Sequence, residues 1–187
     1  MKIWLVRHPK PVIAQGICYG QQDIIADANA LFACAEALSD VLPHHLPVLT
    51  SPLIRAQSLA HALIHLRPDL QLHADDRLKE MNFGCWEQTP WSDIPKKSID
   101  AWVEDFPDHR FGGEESAQDV VNRVDSLLME KSTIPEMVWI THAGVIKATG
   151  FLHASPTGRL LSAKDWPSRT IGYGTYEVVD FHIKHRP

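Results

Sequence analysis

Five side chains in this 187-residue sequence stand where they could do chemistry together: Arg7, His8, Arg55, Glu80 and His142. Arg7 and His8 end the run Ile3-Trp-Leu-Val6, which is short, apolar and rich in β-branched and aromatic residues, the pattern of a buried strand. Pro9 and Pro11 cannot extend that strand's hydrogen bonding, so a guanidinium and an imidazole are left at its carboxyl end. In open α/β sheets that edge is where ligands bind. A second short strand, Val48 to Thr50, runs into Ser51-Pro52, with Pro52 suited to the first turn of a helix that continues to about Leu66. Arg55 in that turn brings a second guanidinium to the same edge. A further strand, Met137 to Thr141, leads directly into His142-Ala143-Gly144. Gly144 permits close backbone approach, and the following helix turns its free N-terminal amides, those of Ala143 and Gly144, toward whatever lies beside His142. Glu80, flanked by Leu78, Met81, Phe83 and Trp86, stands in apolar company that favours a protonated carboxyl, which makes it the candidate acid.

Other elements have to hold these groups in place. Gln15 to Asp23 is a polar, glycine-punctuated loop with Tyr19 as its single aromatic, and it is expected beside His8. Leu31, Phe32, Ala35, Leu38 and Leu42 recur at helical spacing, with Asp27 as cap and Pro43 closing the segment. Leu70 to His73 reads as a third strand. The stretch of about 85–115 is tryptophan-, proline- and charge-rich and reads as a surface excursion flanking the site, with a short helix from Ser98 to Phe106. Glu115 to Lys131 is an amphipathic helix. After Gly150 the chain is loop-rich through Pro167, Gly174 to Ile183 reads as one or two closing strands, and the last four residues as frayed.

Composition narrows the functions open to the chain. With 44% hydrophobic and 22% charged residues, the length fits a single domain over 1–187. The opening strand runs straight into Arg7, unlike a signal peptide, and no apolar run reaches membrane-spanning length, so a cytoplasmic chain without a membrane partner is expected. Cys18, Cys34 and Cys85 are odd in number and widely spaced, which argues for reduced thiols. A net charge of -5 offers nucleic acid no general attraction, so an anionic ligand must find a local cluster of positive groups. His61 and His65 share a helix face at i and i+4, yet no third ligand follows at a suggestive spacing, and no metal site is read there.

Leu-Val-Arg7-His8, Ser51-Pro-Leu-Ile-Arg55-Ala, Leu78-Lys-Glu80-Met-Asn-Phe-Gly-Cys-Trp-Glu87 and Thr141-His142-Ala-Gly144, in this order over nearly the whole chain, resemble the histidine phosphatase superfamily, phosphoglycerate mutase-like branch. Lys10-Pro11, Gly16-x-Cys18-Tyr19-Gly20-Gln21-x-Asp23, Trp102 with Asp105-Phe106, and Glu115-Ser116 with Arg123-Val124 are similar to α-ribazole phosphatase-like proteins of cobalamin assembly. The resemblance implies a three-layer αβα sandwich with a mostly parallel sheet and helices on both faces. It implies that His8 attacks phosphorus to give a phosphohistidine, and that Arg7, Arg55 and His142 donate charge-assisted hydrogen bonds to the phosphoryl oxygens. Glu80 would protonate the leaving group and then take a proton from water. Neither metal nor cofactor is implied, and the partner is a small phosphomonoester. Lys10, Tyr19 and Gln21 are candidates for further substrate contacts, and Tyr19, Trp86, Trp91 and Trp102 for stacking on a heterocycle. Pro9, Lys10 and Ala14 depart from the family's usual Gly, Glu or Thr, and Asn, as do Ser58-Leu59 and Gln88 from its Gln-Thr and Gly. A mutase of the same chemistry and a weakly active phospholigand-binding protein are the alternatives. Oligomeric state is not legible.

Overall fold

The computed structural model describes residues 1–155, 157–169 and 171–181. Its frame is built from β1 (Lys2–Arg7), β2 (Pro47–Thr50), β3 (Gln71–Ala74), β4 (Glu136–Thr141) and β5 (Tyr176–Asp180). They form one sheet in the order β3-β2-β4-β1-β5, parallel except for β5, which pairs antiparallel with β1. Side chains alternate across such a sheet, and both faces of its central strands are buried. Val6, Val48, Val138 and Ile140 pack under α1 (Ala28–Val41) and α2 (Ile54–Leu66) through Ala35, Leu38, Leu59 and Leu63. Ile3, Leu5, Met137 and Trp139 pack under α4 (Ala117–Glu130) and α5 (Ala143–Ala154) through Val120, Val124, Leu127 and Leu152. The sheet therefore lies between two helical layers, as the resemblance implies.

The register brings three strand ends level. Arg7 pairs with Thr141 and Thr50 with Ile140, so His8, Ser51 and His142 each lie one residue past a paired strand. Hydrogen bonds continue one step further: His8 N–H donates to Thr141 O at 2.9 Å, and Ser51 N–H to Ile140 O at 2.9 Å. Gly174 N–H is shared between the carbonyls of Arg7 and His8. The backbone that carries the site is thus held from both sides.

Several boundaries differ from the sequence expectation for local reasons. α2 begins at Ile54, so Pro52 lies in the bend before it; the Ile54 amide is capped by Asp23 Oδ1 at 2.7 Å, a residue 31 positions away. α4 begins at Ala117 because Ser116 and Asp119 close a capping box, which leaves Glu115 outside the helix and free to pair with Arg123. The short helix α3 spans Lys96–Glu104, shifted toward Pro95, while Phe106 turns into the core. α5 runs through Gly150 to Ala154. The closing strand is β5 alone among the described residues, and Ile183 with the last four residues lies outside them.

The excursion adds no strand to the sheet and carries packing of its own. Phe111 is fully buried and is ringed by Phe83, Trp86, Trp91 and Trp102, with Trp102 stacked at 4.5 Å between centroids. The segment is a small aromatic core in its own right. It closes where Gly112, at φ 81, passes so near Phe83 O that a side chain there would overlap the carbonyl.

Candidate active site

His8 and His142 face each other at 4.9 Å between ring centroids, both buried. The His8 Nδ1 lies 2.7 Å from Pro9 O. A carbonyl can only accept, so Nδ1 carries the proton and Nε2 the lone pair. Pro9 thus supplies the oxygen that sets the ring, although it lacks an amide of its own. Burial, reinforced by the charges of Arg55 and Arg7, holds His8 down at about 3, so the ring is neutral. His142 is likewise pushed well below the ordinary histidine range by burial, with His8 and Arg55 adding to it. This changes the expectation for His142: the group it presents is a neutral N–H rather than an imidazolium. Its Nε2 meets Ser51 Oγ at 2.8 Å.

The two arginines are anchored by backbone carbonyls. Arg55 is fully buried and donates to Gly20 O at 2.6 Å and Gln22 O at 2.7 Å, which fixes the loop carrying Tyr19 and Gln21. Arg7 donates to Ile171 O at 2.8 Å and lies 3.9 Å over the Tyr173 ring. Among the described residues neither guanidinium's buried Nε finds a partner, nor does Nδ1 of His142.

Glu80 stands differently from expectation. Leu78 and Met81 turn into the core and Phe83 into the aromatic cluster, so apolar side chains do not enclose the carboxyl. It accepts instead from the amides of Met81 at 3.0 Å and Gly144 at 3.0 and 3.2 Å. The Gly144 amide, expected to hold phosphate, is engaged by the carboxylate, while the Ala143 amide heads α5 with no intrahelical acceptor. Gln21 Nε2 at 2.9 Å and Arg123 at 3.3 Å both donate to Glu80 O, fixing its backbone.

A cleft of about 620 Å³ opens beside this cluster, with Lys10, Pro11, Ile13, Tyr19, Trp91 and Tyr173 among its walls. Tyr19 and Tyr173 share a hydrogen bond at 2.9 Å between hydroxyls, and Tyr173 lies 5.4 Å from the His8 ring. Trp86 and Trp102 pack in the aromatic core and do not line the cleft. Tyr173, Ser51 and Arg123 escaped the residue-level reading. Tyr173 sits in a loop with no chemical pattern around it, but Ser51 is one step past a strand end, the same position as His8 and His142. Among the described residues no group of three or more His, Cys, Asp or Glu is placed to hold a metal, and no helix is long and apolar enough to cross a membrane. All three cysteines are free.

Two buried neutral histidines make stability depend on pH. Between its unfolded pKa of 6.5 and its folded value of about 3, His8 takes up a proton only when the chain unfolds. The unfolded state then binds more protons, so stability is lost as pH falls, by about 1.4 kcal/mol per unit for one such site. His142 contributes with the same sign. Urea unfolding between pH 6 and 5 should show this slope, and His8→Asn should remove His8's share. An unchanged slope in the variant would contradict the buried neutral state.

Four strands in parallel, helices on both faces and a strand-end cluster of two imidazoles and two guanidiniums give the chain a phosphoglycerate mutase-like α/β fold with its candidate site at the carboxyl edge of the sheet. The chain belongs to the histidine phosphatase superfamily (branch 1), whose family model matches residues 3–158. Its fold is similar to that of a Thermus thermophilus protein, at 24% identity over 97% of this chain and 94% of that one, with a TM-score of 0.75. It is also similar to the mycobacterial glucosyl-3-phosphoglycerate phosphatase, at 24% identity over 97% and 90% of the two chains, with a TM-score of 0.78. A 6-phosphofructo-2-kinase/fructose-2,6-bisphosphatase of Caenorhabditis elegans is 27% identical over 154 residues, 78% of this chain. The chain spans about a third, 32%, of that curated relative's length.

Proposed function

We propose that the chain is a metal-independent phosphomonoesterase that works through a phosphohistidine at His8. The observation that carries this reading is the set of buried side-chain nitrogens without partners. Arg7 Nε, Arg55 Nε and His142 Nδ1 are three of the four such side-chain atoms among the described residues, and all three belong to the cluster around His8. A buried polar group left unpaired costs about 1–3 kcal/mol, and two guanidinium donors beside an unpartnered imidazole nitrogen are accounted for by an anion they share. A phosphoryl group has three nonbridging oxygens for them, and fixed cations there stabilise the spread charge of its transfer.

His8 Nε2 attacks phosphorus in line, the P–O ester bond breaks, and Glu80 in its acid form protonates the departing alkoxide. Water then attacks the phosphohistidine while Glu80, now a carboxylate, takes its proton, and the N–P bond breaks to return neutral His8 and inorganic phosphate. Gly144 N–H orients the carboxyl, and Ala143 N–H is open to a phosphoryl oxygen at the head of α5.

The substrate we favour is a small phosphomonoester with a flat, nucleoside-like leaving group, α-ribazole 5'-phosphate first among them. The finer sequence resemblance supports it, as does the cleft, whose volume suits such a group and whose Tyr19, Trp91 and Tyr173 offer rings for stacking. Lys10 is the single cation among the cleft's walls, which favours one phosphate over two. The deciding measurement is kcat/KM, with chelator present, over α-ribazole phosphate, glucosyl-3-phosphoglycerate, 3-phosphoglycerate, fructose 2,6-bisphosphate and simple nucleotides. α-Ribazole phosphate should lead by at least about tenfold, the effect of one well-made contact. If sugar phosphates match it, the substrate reading fails while the phosphatase chemistry stands.

A further inference from the structure

Ser51 is fully buried at the end of β2, and its backbone is fixed by its own N–H to Ile140 O and by Thr50 Oγ1 donating to its carbonyl at 3.1 Å. Its hydroxyl receives the Leu53 N–H at 3.3 Å and lies 2.8 Å from His142 Nε2. A hydroxyl has one proton to give, and no other acceptor lies within hydrogen-bond distance of it among the contacts just named, so a bare Nε2 would receive it. If Nε2 instead carried a proton, the Ser51 hydrogen would have no acceptor there and His142 Nδ1 would present a bare lone pair to an incoming phosphoryl oxygen.

We infer that Ser51 is a positioning residue: by donating to Nε2 of His142 it holds that ring as the Nδ1–H tautomer, so that the buried, unpartnered Nδ1 meets a phosphoryl oxygen as a donor. The inference rests on the reading of His142 as a phosphoryl contact. Both imidazoles of the site thereby carry their proton on Nδ1, by opposite means. At His8 the carbonyl of Pro9 draws the proton onto Nδ1, whereas at His142 the Ser51 hydroxyl keeps it off Nε2. Burial keeps the ring neutral, so the tautomer alone decides whether Nδ1 donates or repels.

The test is the nitrogen spectrum of the histidine rings in the isotopically labelled full chain, with titration by inorganic phosphate. Wild type should show His142 protonated at Nδ1 and bare at Nε2. Ser51→Ala should shift the proton toward Nε2 and weaken phosphate binding by at least about tenfold, the loss of one hydrogen bond to a charged group. Ser51→Thr, which retains the hydroxyl, should keep the wild-type tautomer. A wild-type ring protonated at Nε2 overturns the inference, and needs no variant to fold. So does a Ser51→Ala ring that stays protonated at Nδ1. A ring that changes tautomer while phosphate affinity holds would instead overturn His142 as a phosphoryl contact.

Discussion

His8→Ala should lower turnover of every phosphomonoester by about 10⁴-fold or more, the scale on which removal of a nucleophile disables a catalytic unit. It should also abolish the acid-labile phosphate label that a phosphohistidine leaves on the protein. The size of the loss follows from how completely His8 is prepared. Its ring is neutral because burial and two arginines hold it at about 3, Pro9 O fixes the proton on Nδ1, and its backbone is bonded to Thr141 and Gly174. The neighbouring imidazole of His142 has its Nε2 engaged by Ser51. Steady-state hydrolysis of p-nitrophenyl phosphate and rapid-quench labelling check both parts. Undiminished hydrolysis by the variant would sink the assignment, and an acid-stable label on a serine would not rescue it.

The second large effect is expected at Glu80, and it should depend on the leaving group. Glu80→Gln keeps the shape and the two contacts to Oε1, from Met81 and Gly144, which an amide oxygen can also accept, and gives up only the longer one from Gly144 to Oε2 at 3.2 Å. What it removes is the proton. General acid–base catalysis contributes about 10²–10⁴-fold, so hydrolysis of an alkyl phosphate should fall by that order. A p-nitrophenyl ester, whose leaving group needs no proton, should lose far less. Gly144→Ala provides a companion without changing any charge. Its added methyl would overlap Glu80 Oε1, the flexible end of a side chain, so the carboxyl would swing away at little cost in stability. The same leaving-group dependence should appear in a protein that melts normally. Equal losses on both esters in Glu80→Gln would move the acid to another residue, with Glu87 or Glu115 next to be examined. Both of those carboxylates are already occupied, Glu87 by the amides of Gln21 and Phe83 and Glu115 by Arg123.

The sequence by itself determined the frame. Strand ends are written locally, as an apolar run stopped by Pro or by His-Ala-Gly, and helices as a period with a cap, so the edge carrying Arg7, His8, Arg55 and His142 was legible residue by residue. Asp27 caps α1 as its position suggests. Tertiary structure alone decided how those groups are tuned, because each tuning contact joins residues far apart in the chain. Ser51 meets His142 across 91 positions, Gly144 meets Glu80 across 64, and Tyr19 meets Tyr173 across 154. The environment of Glu80 shows the difference most plainly. Its sequence neighbours are apolar, but the backbone turns Leu78, Met81 and Phe83 into two separate cores and leaves the carboxyl to backbone amides. The packing inside the excursion is hidden from the sequence for the same reason, since rings spread over Phe83 to Phe111 become a core only when the chain folds them around Phe111. Periodicity records which side of an element faces inward; it does not record which distant atom completes a hydrogen bond, and protonation in this site is set by those bonds and by burial.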